Sequence, residues 1–267
     1  MIKFYQQKKF VDGFIELIKN CNKKVLEIYN TDFSINYKDD KSPLTLADLE
    51  SNKLICDYLN LLNKNLKEET NEEFLIISEE NKNLDYNLRK DYNYTWLVDP
   101  IDGTKEFLKK NGQFTVNIGL CRNEIPIFGI VSIPVSNEIY YGIEGIGSFK
   151  LNVNDKTIKN LKINKKDLTK ENVKIAASSS HLNEETKNYI NQYKNPNLIN
   201  IGSSIKLLYV AENKVDIYPR FGPTSEWDTC AAHSVVKYAN GNVVNTVDKS
   251  ELTYNKENIL NPYFLVY

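Results

Sequence analysis

The sequence contains few of the residues that usually bind zinc or cross-link a secreted domain. Its 267 residues include only two histidines, His181 and His233, and four cysteines that form no C-x-x-C pair. We therefore do not expect a Cys/His zinc site. Four reduced and mostly buried thiols are typical of a cytosolic protein.

Long apolar runs and an excess of either charge are also missing. No stretch approaches the ~18 consecutive apolar residues of a membrane span, and the first ten residues contain no apolar core of a signal peptide. We expect a cytoplasmic protein without a transmembrane segment, and a loose association with the inner face of the membrane stays open. The net charge of −1 predicts no nucleic-acid binding through bulk charge, although a site for a small charged substrate needs only local positive potential.

Two common nucleotide-binding motifs are absent as well. The chain has no G-x-x-x-x-G-K-[ST] sequence, and Gly142, Gly145 and Gly147 are in the wrong order for G-x-G-x-x-G,. These glycines predict a hairpin instead. The acidic residues do not follow the calcium-loop pattern of an EF-hand either.

The most informative stretch is residues 95–108. Thr95–Val98 predicts a short buried strand that ends at Asp99, with Asp102 three residues further on,. Two carboxylates and an intervening carbonyl can supply oxygen ligands to a hard cation.

The residues that follow add a feature suited to phosphate. Gly103 allows a close approach of the backbone, and Thr104 begins a predicted helix over Lys105–Lys109,. The N-terminus of a helix attracts a phosphate group. Metal and phosphate ligands in one turn predict metal-assisted phosphoryl transfer.

Other acidic residues lie where a predicted strand ends or a predicted helix begins. Taken singly, each is more often a helix cap or a solvated charge, and Asp48 with Thr45 also fits a capping box. Together they predict a divalent-metal site, and an octahedral Mg²⁺ site completed by water and substrate phosphate fits them best. The candidates are Asp48, Glu79, Asp99, Asp102 and Asp228.

The pattern of elements predicts an α+β fold. Amphipathic helices over 4–30 and after Asp48 precede a strand at 74–77, and strands at 114–120, 127–133 and 138–143 form a meander,. A meander favours antiparallel pairing. The polar stretch 151–172 is the best candidate for a subdomain boundary.

Several of these motifs occur together in one family. Asp99–Thr104, Ser78–Glu80 and Trp227–Asp228 resemble the motifs of the inositol monophosphatase-like family of Mg²⁺-dependent, lithium-sensitive phosphatases. Within that family the chain is similar to the 3′(2′),5′-bisphosphate nucleotidases of the CysQ type. The stretches that carry this closer resemblance are 41–48, 96–107, 111–118, 201–206 and 218–224.

The resemblance implies a fold, a division of the chain and a set of site residues. The fold would be a layered α/β/α/β/α sandwich of the sugar-phosphatase type. Residues 1–267 would form one catalytic unit, with a metal and phosphate half over 1–150 and a nucleotide-binding half over 173–267. Two or three Mg²⁺ ions would be held by Glu79, Asp99, the Ile101 carbonyl, Asp102 and Asp228.

The resemblance also implies catalytic and substrate contacts. Asp48 and Thr104 would orient and deprotonate the attacking water, with Glu79 as a third catalytic residue. The amides of Gly103 and Thr104 would hold the scissile phosphate. The substrate-binding set would be Glu79, Ile101, Asp102, Gly103, Thr104, Ser203, Lys206, Arg220 and Asp228, with His181 as an open member.

The implied reaction is hydrolysis of adenosine 3′,5′-bisphosphate to AMP and phosphate, as in the nucleotide recycling of sulfur assimilation. The sulfated parent nucleotide stays open as a substrate. An inositol or sugar monophosphatase is the alternative within the family, and Ser203, Lys206 and Arg220 argue against it. A non-catalytic metal- or nucleotide-binding regulator is the alternative from another class, and the oligomeric state stays open.

One segment departs from the family pattern. Family members commonly contain Trp-Asp-Thr-Ala-Ala-Gly, whereas this chain has Cys230 for one alanine and Ala232 for the glycine. We expect only local repacking from these small-for-small changes. Glu226, next to Trp227, adds a negative charge for which the sequence suggests no role.

Overall fold

The computed structural model describes residues 3–31, 35–37, 43–81, 85–178 and 183–267. Its helices are α1 (Lys8–Tyr29), α2 (Leu46–Thr70), α3 (Tyr86–Arg89), α4 (Thr104–Leu108), α5 (Glu184–Ile190), α6 (Ile205–Ala211) and α7 (Glu226–Tyr238). Its strands are β1 (Ile35–Tyr37), β2 (Pro43–Thr45), β3 (Phe74–Ser78), β4 (Tyr94–Asp102), β5 (Thr115–Arg122), β6 (Ile125–Ile133), β7 (Glu138–Ile143), β8 (Gly147–Asn152), β9 (Ile158–Leu161), β10 (Lys174–Ser178), β11 (Asn197–Ile201), β12 (Tyr218–Arg220), β13 (Val243–Asn245) and β14 (Phe264–Val266). No helix in these ranges is both long and apolar enough to cross a membrane.

A seven-stranded sheet in the order β3 to β9 forms the first half of the fold. β3 and β4 are parallel, and every later neighbour pair is antiparallel. The apolar faces of α1 and α2 pack on one side of this sheet, where Phe14, Ile55, Trp96 and Phe128 are completely buried. The predicted meander is therefore confirmed.

The second half contains the strands β10 to β14 and lies beyond α6 and α7. β10 and β11 are parallel, β14 pairs with β12 and β13, and a bridge from Ile175 to Ile217 joins the two groups. Phe264 and Val266 face the cluster that contains α6 and α7, whereas Leu265 faces the cluster that contains Ile190 of α5. The layers are helix, sheet, helix, sheet and helix, and the predicted α+β sandwich is confirmed.

A row of glycines allows α7 to lie unusually close to the large sheet. Gly119, Gly129 and Gly142 are paired with one another across β5, β6 and β7. A Cβ atom on Gly129 would lie 2.2 Å from the carbonyl oxygen of Ala231 in α7, and one on Gly142 would lie 2.3 Å from that of Ser234. Side chains in these places would push the helix away from the sheet.

The structure differs from the sequence prediction in several elements. β4 does not end at Asp99 but continues to Asp102, with a register shift between these residues. β8 and β9 occupy part of the polar stretch 151–172, and both belong to the large sheet. β11 was not predicted, because only its last residue, Ile201, is buried and its sequence shows no clear strand pattern. The hairpin predicted around Gly145 is confirmed as the turn between β7 and β8.

Candidate active site

A cavity of about 810 Å³ opens between the end of β4, α6 and the start of α7. Nearly all of the predicted site residues line it. These are Glu79, Asp99, Ile101, Asp102, Gly103, Thr104, Ser203, Lys206, Arg220 and Asp228. Asp48 is not in the lining, and His181 lies outside the described residues.

The strand geometry explains how Asp99 and Asp102 come to point the same way. Side chains alternate between the two faces of a regular strand, so residues three apart would face opposite sides. β4 pairs Asp99 with Asn117 but Asp102 with Thr115, which means that β4 has one extra residue at this place. Such a bulge shifts the alternation by one, and both carboxylates therefore lie on the face shared by Asn117 and Thr115.

Glu79 is brought beside these carboxylates by the parallel pair β3 and β4. The last paired residues of the two strands are Ser78 and Val98, so Glu79 and Asp99 follow at equivalent positions. Asp99 is 1% exposed, and burial is the main reason that its pKa is raised well above the usual range, with further contributions from Glu79, Asp102, Asp228 and Asp48. Several carboxyl groups thus lie close together at one end of the cavity, where their ionised forms repel one another.

Asp228 reaches the same place from the start of α7. Its carboxylate accepts the backbone N–H of Ser225 at 2.8 Å and completes a capping box, which orients the first turn of the helix,. Burial, followed by the charge of Asp102, raises the pKa of Asp228 to about 8. Burial also raises the pKa of Asp102 to about 6, although the nearby Lys206 acts in the opposite direction.

This set of donors fits a hard cation better than any other ligand. The donors are all oxygens, and their mutual repulsion would be relieved by positive charge. Within the described ranges, no three His, Cys, Asp or Glu side chains already surround a common point that could hold an ion.

The turn after β4 is closely packed around Gly103. Gly103 has a φ of 94°, and a Cβ atom there would lie 3.1 Å from the carbonyl oxygen of Gln113 and 3.2 Å from Cβ of Ser203. A larger residue would be strained in this conformation and would crowd both neighbours. The Thr104 hydroxyl donates to the Ile101 carbonyl at 3.4 Å, which joins the first residue of α4 to the bulge.

Asp48 is buried beneath this end of the cavity. Its carboxylate accepts hydrogen bonds from the backbone N–H and the hydroxyl of Thr45, at 2.8 and 2.5 Å, so the capping box considered from sequence is present. Among the described residues it has no hydrogen bond to Thr104. Burial raises the pKa of Asp48 to about 6, and one turn further along α2 the Ser51 hydroxyl donates to the Pro100 carbonyl at 3.2 Å.

Two buried or half-buried cations occupy the other part of the cavity. Lys206 is 5% exposed, and its ammonium group donates to the Ser203 carbonyl at 2.6 Å and lies 5.4 Å from the ring centre of Tyr218. Burial lowers the pKa of Lys206 to about 8, and the charge of Arg220 acts in the same direction. Arg220 donates to the Pro223 carbonyl at 2.8 Å, whereas its buried Nε has no hydrogen-bond partner among the described residues. These groups suit an anionic ligand.

Sequence reasoning missed the residue that joins the two parts of the cavity. The Ser204 amide donates to the Asp102 carboxylate, and its hydroxyl donates to Asn117 and contacts Thr115, both at 2.8 Å. Asn117 and Thr115 belong to the stretch 111–118 that carries the family resemblance. A role for them could have been proposed from that resemblance, but the contact to Ser204, almost ninety residues away, depends on the fold.

The model of the inositol monophosphatase family matches residues 6–263. This chain belongs to that family. Members of the inositol monophosphatase family generally depend on a metal, Mg²⁺, which agrees with the oxygen donors of the cavity. The family prediction from the sequence is confirmed.

Similar members of the family carry a more specific name. The chain is 37% identical over 238 residues to the 3′(2′),5′-bisphosphate nucleotidase CysQ of Buchnera aphidicola, covering 88% of this chain and 84% of the relative. It is 35% identical to CysQ of Escherichia coli K12, covering 96% and 98%. The crystal structure of CysQ from Bacteroides thetaiotaomicron superposes with a TM-score of 0.82 at 37% identity, covering 99% and 98%.

Proposed function

We propose that the protein is a Mg²⁺-dependent phosphatase that removes the 3′-phosphate of adenosine 3′,5′-bisphosphate and releases AMP. The observation that carries the proposal is a single cavity lined both by a carboxylate cluster and by Lys206 and Arg220. The carboxylates fit the metal that a phosphomonoester requires, and the cations fit a second phosphate. The names of the CysQ relatives agree with this substrate.

We assign Glu79, Asp99, the Ile101 carbonyl, Asp102 and Asp228 to two or three Mg²⁺ ions. When bound, Mg²⁺ offsets the negative charge of the phosphoryl group and lowers the pKa of a coordinated water. The protein contributes the fixed positions of its donors. The bulge in β4 and the capping box at Asp228 set these positions before substrate arrives.

We assign Asp48 and Thr104 to the attacking water. The Thr104 hydroxyl would orient the water, and Asp48 would hold the proton that the water loses. A pKa raised to about 6 suits a group that must accept a proton near neutral pH. Both hydrogen bonds from Thr45 go to Oδ2 of Asp48, so the assignment gives the proton of the water to Oδ1.

The remaining residues would hold the two phosphates. The amides of Gly103 and Thr104 would donate to the scissile phosphate, and the left-handed conformation of Gly103 supports this orientation. Lys206 and Arg220 would bind the 5′-phosphate. Ser203, which lines the cavity and accepts the Ile205 N–H at its hydroxyl at 3.4 Å, would contact the nucleotide. His181 remains a proposed member of the nucleotide site.

The test is phosphate release from adenosine 3′,5′-bisphosphate and from inositol 1-phosphate, each with Mg²⁺ or with EDTA. We expect release from the nucleotide that requires Mg²⁺ and is inhibited by Li⁺, and much slower release from the inositol phosphate. The sulfated parent nucleotide is assayed in parallel. Faster hydrolysis of inositol 1-phosphate would replace the proposal with the inositol monophosphatase alternative, and no Mg²⁺-dependent hydrolysis of either compound would favour a binding protein.

A further inference from the structure

The carboxylate of Glu226, for which the sequence suggested no role, points away from the cavity. Glu226 is the first residue of α7 and lies two positions before Asp228, yet its side chain is 0% exposed. One carboxylate oxygen accepts the backbone N–H of Asn255 at 2.6 Å. The other accepts the backbone N–H of Lys256 at 3.0 Å and its ammonium group at 2.5 Å. Three hydrogen bonds to a buried carboxylate hold the Glu226 side chain in one position.

The loop that supplies these donors is itself held in place. Arg89 donates to the side chain of Asn255 at 2.8 Å and to the carbonyl of Glu257 at 3.1 Å, and Asn255 donates back to the Arg89 carbonyl at 3.0 Å. Both Arg89 and Asn255 are buried. The start of α7 is therefore fastened to α3 through residues 255–257.

A second contact from the same segment holds the residues just before α7. The side-chain nitrogen of Asn261 donates to the carbonyl of Ser225 at 2.7 Å and lies 3.1 Å from the hydroxyl oxygens of Thr224 and Thr229. Ser225 is the residue whose backbone N–H donates to the Asp228 carboxylate. Residues 255–261 thus surround the base of the turn that carries a proposed metal ligand.

We propose that Glu226 is a positioning residue for Mg²⁺ binding, acting through the first turn of α7 and hence through Asp228. The inference rests on the proposed function, because it takes Asp228 as a metal ligand. Glu226 touches neither metal nor substrate. It fixes the position of the first turn of α7 against residues 255–257, so that Asp228 lies near Asp102 at the carboxylate end of the cavity.

Glu226→Gln is the direct test, because a side-chain amide cannot accept hydrogen bonds at both of its ends and one backbone N–H would face another donor. Groups that orient metal ligands typically change metal affinity by about 10–100-fold. Since Glu226 acts through the backbone, we expect the Mg²⁺ concentration for half-maximal binding to rise by about tenfold. Binding is measured by calorimetry with Mg²⁺ alone and checked by the Mg²⁺-induced rise in Tm.

Glu251→Gln is the matched control. Glu251 also joins α7 to the C-terminal segment, but at the far end of the helix, where it pairs with His233 at 3.1 Å and with Lys237. This variant should lose stability and bind Mg²⁺ as the wild type does. If Glu226→Gln lowers Tm without changing Mg²⁺ affinity, the role of Glu226 is only structural and the inference is wrong.

A second variant keeps the test decisive if Glu226→Gln does not fold. Lys256→Met removes only the ammonium donor and leaves both backbone donors in place, and we expect a smaller rise, of about threefold. An unchanged Mg²⁺ affinity in the folded Lys256→Met protein would then overturn the inference. Failure of the proposed function is seen separately, as wild-type protein that binds Mg²⁺ but hydrolyses no bisphosphate.

Discussion

The two parts of the cavity are built in opposite ways. Glu79, Asp99 and Asp102 lie at the ends of two adjacent strands, and the hydrogen bonds of the sheet hold their backbone. Lys206 and Arg220 come from α6 and β12, with their neighbour Ser203 in the loop before α6. In the first part, two adjacent strand ends supply three of the four carboxylates and α7 supplies Asp228; the second part is an assembly of separate segments.

This difference follows from what each part has to do. Metal binding tolerates little displacement of the ligand atoms, so the ends of hydrogen-bonded strands are a suitable support for them. A phosphate can be bound by cations on long side chains, which reach it from several directions. In the proposed assignment, most of the metal ligands come from two adjacent strand ends, whereas the choice of substrate depends on how distant segments meet.

The largest effect is expected from removing one charge in the carboxylate part. Asp102→Asn should lower kcat by at least about 10³-fold, because a lost metal ligand removes several kcal/mol of charge stabilisation. The measurement is steady-state hydrolysis of adenosine 3′,5′-bisphosphate at saturating Mg²⁺. Asp155→Asn, in an exposed loop, serves as the control and should retain full activity. A kcat within tenfold of wild type would remove Asp102 from the ligand set.

The cation part should show a different kinetic signature. Arg220→Ala should raise KM for the bisphosphate by about 10–100-fold, since a hydrogen bond to a charged group contributes about 1.5–3 kcal/mol. Its effect on adenosine 3′-monophosphate, which lacks the second phosphate, should be much smaller. Equal effects on both substrates would mean that Arg220 supports the cavity rather than the 5′-phosphate.

The smallest effect is expected at the residue that joins the two parts. Ser204→Ala keeps the backbone N–H to Asp102 but leaves the buried Asn117 carbonyl oxygen without its donor. The cost in unfolding free energy should be about 1–3 kcal/mol, with a modest loss in kcat/KM. Ser234→Ala is the matched control, because among the described residues the Ser234 hydroxyl bonds within its own helix, to the Cys230 carbonyl at 3.3 Å. An equal free energy of unfolding for the two variants would show that the hydrogen bond from Ser204 to Asn117 does not stabilise the fold.

The sequence allowed the carboxylate part to be predicted closely and the cation part only through the family resemblance. Asp99, Asp102 and Gly103 are contiguous, and their chemistry can be recognised without knowledge of the fold. Lys206 and Arg220 look like ordinary surface cations in sequence, and only the packing of α6 against β12 shows that Lys206 is buried and Arg220 half-buried in the lining of the cavity. Their roles, and those of all site residues, stay predictions.

Other features could not be predicted for physical reasons. The bulge depends on the pairing of β4 with β5, which no local pattern encodes. The first three residues of β9 are exposed and the last is half-buried, so its sequence lacks the apolar and polar alternation by which strands are recognised. The buried partners of Glu226 are about thirty residues away, and a charge beside Trp227 could equally have faced solvent.

The bulge in β4 also explains the spacing of the motif. On a regular strand, two carboxylates on one face would be separated by a single residue. The backbone N–H and C=O groups between them would hydrogen-bond to the neighbouring strands. The inserted residue adds a position that has no counterpart in β5, and Ile101 lies within this irregular stretch. Its carbonyl accepts a hydrogen bond from the Thr104 hydroxyl at 3.4 Å. The odd spacing of Asp99 and Asp102 thus places an extra main-chain residue between the two carboxylates, in the stretch that holds Ile101, whose carbonyl we propose as a metal ligand.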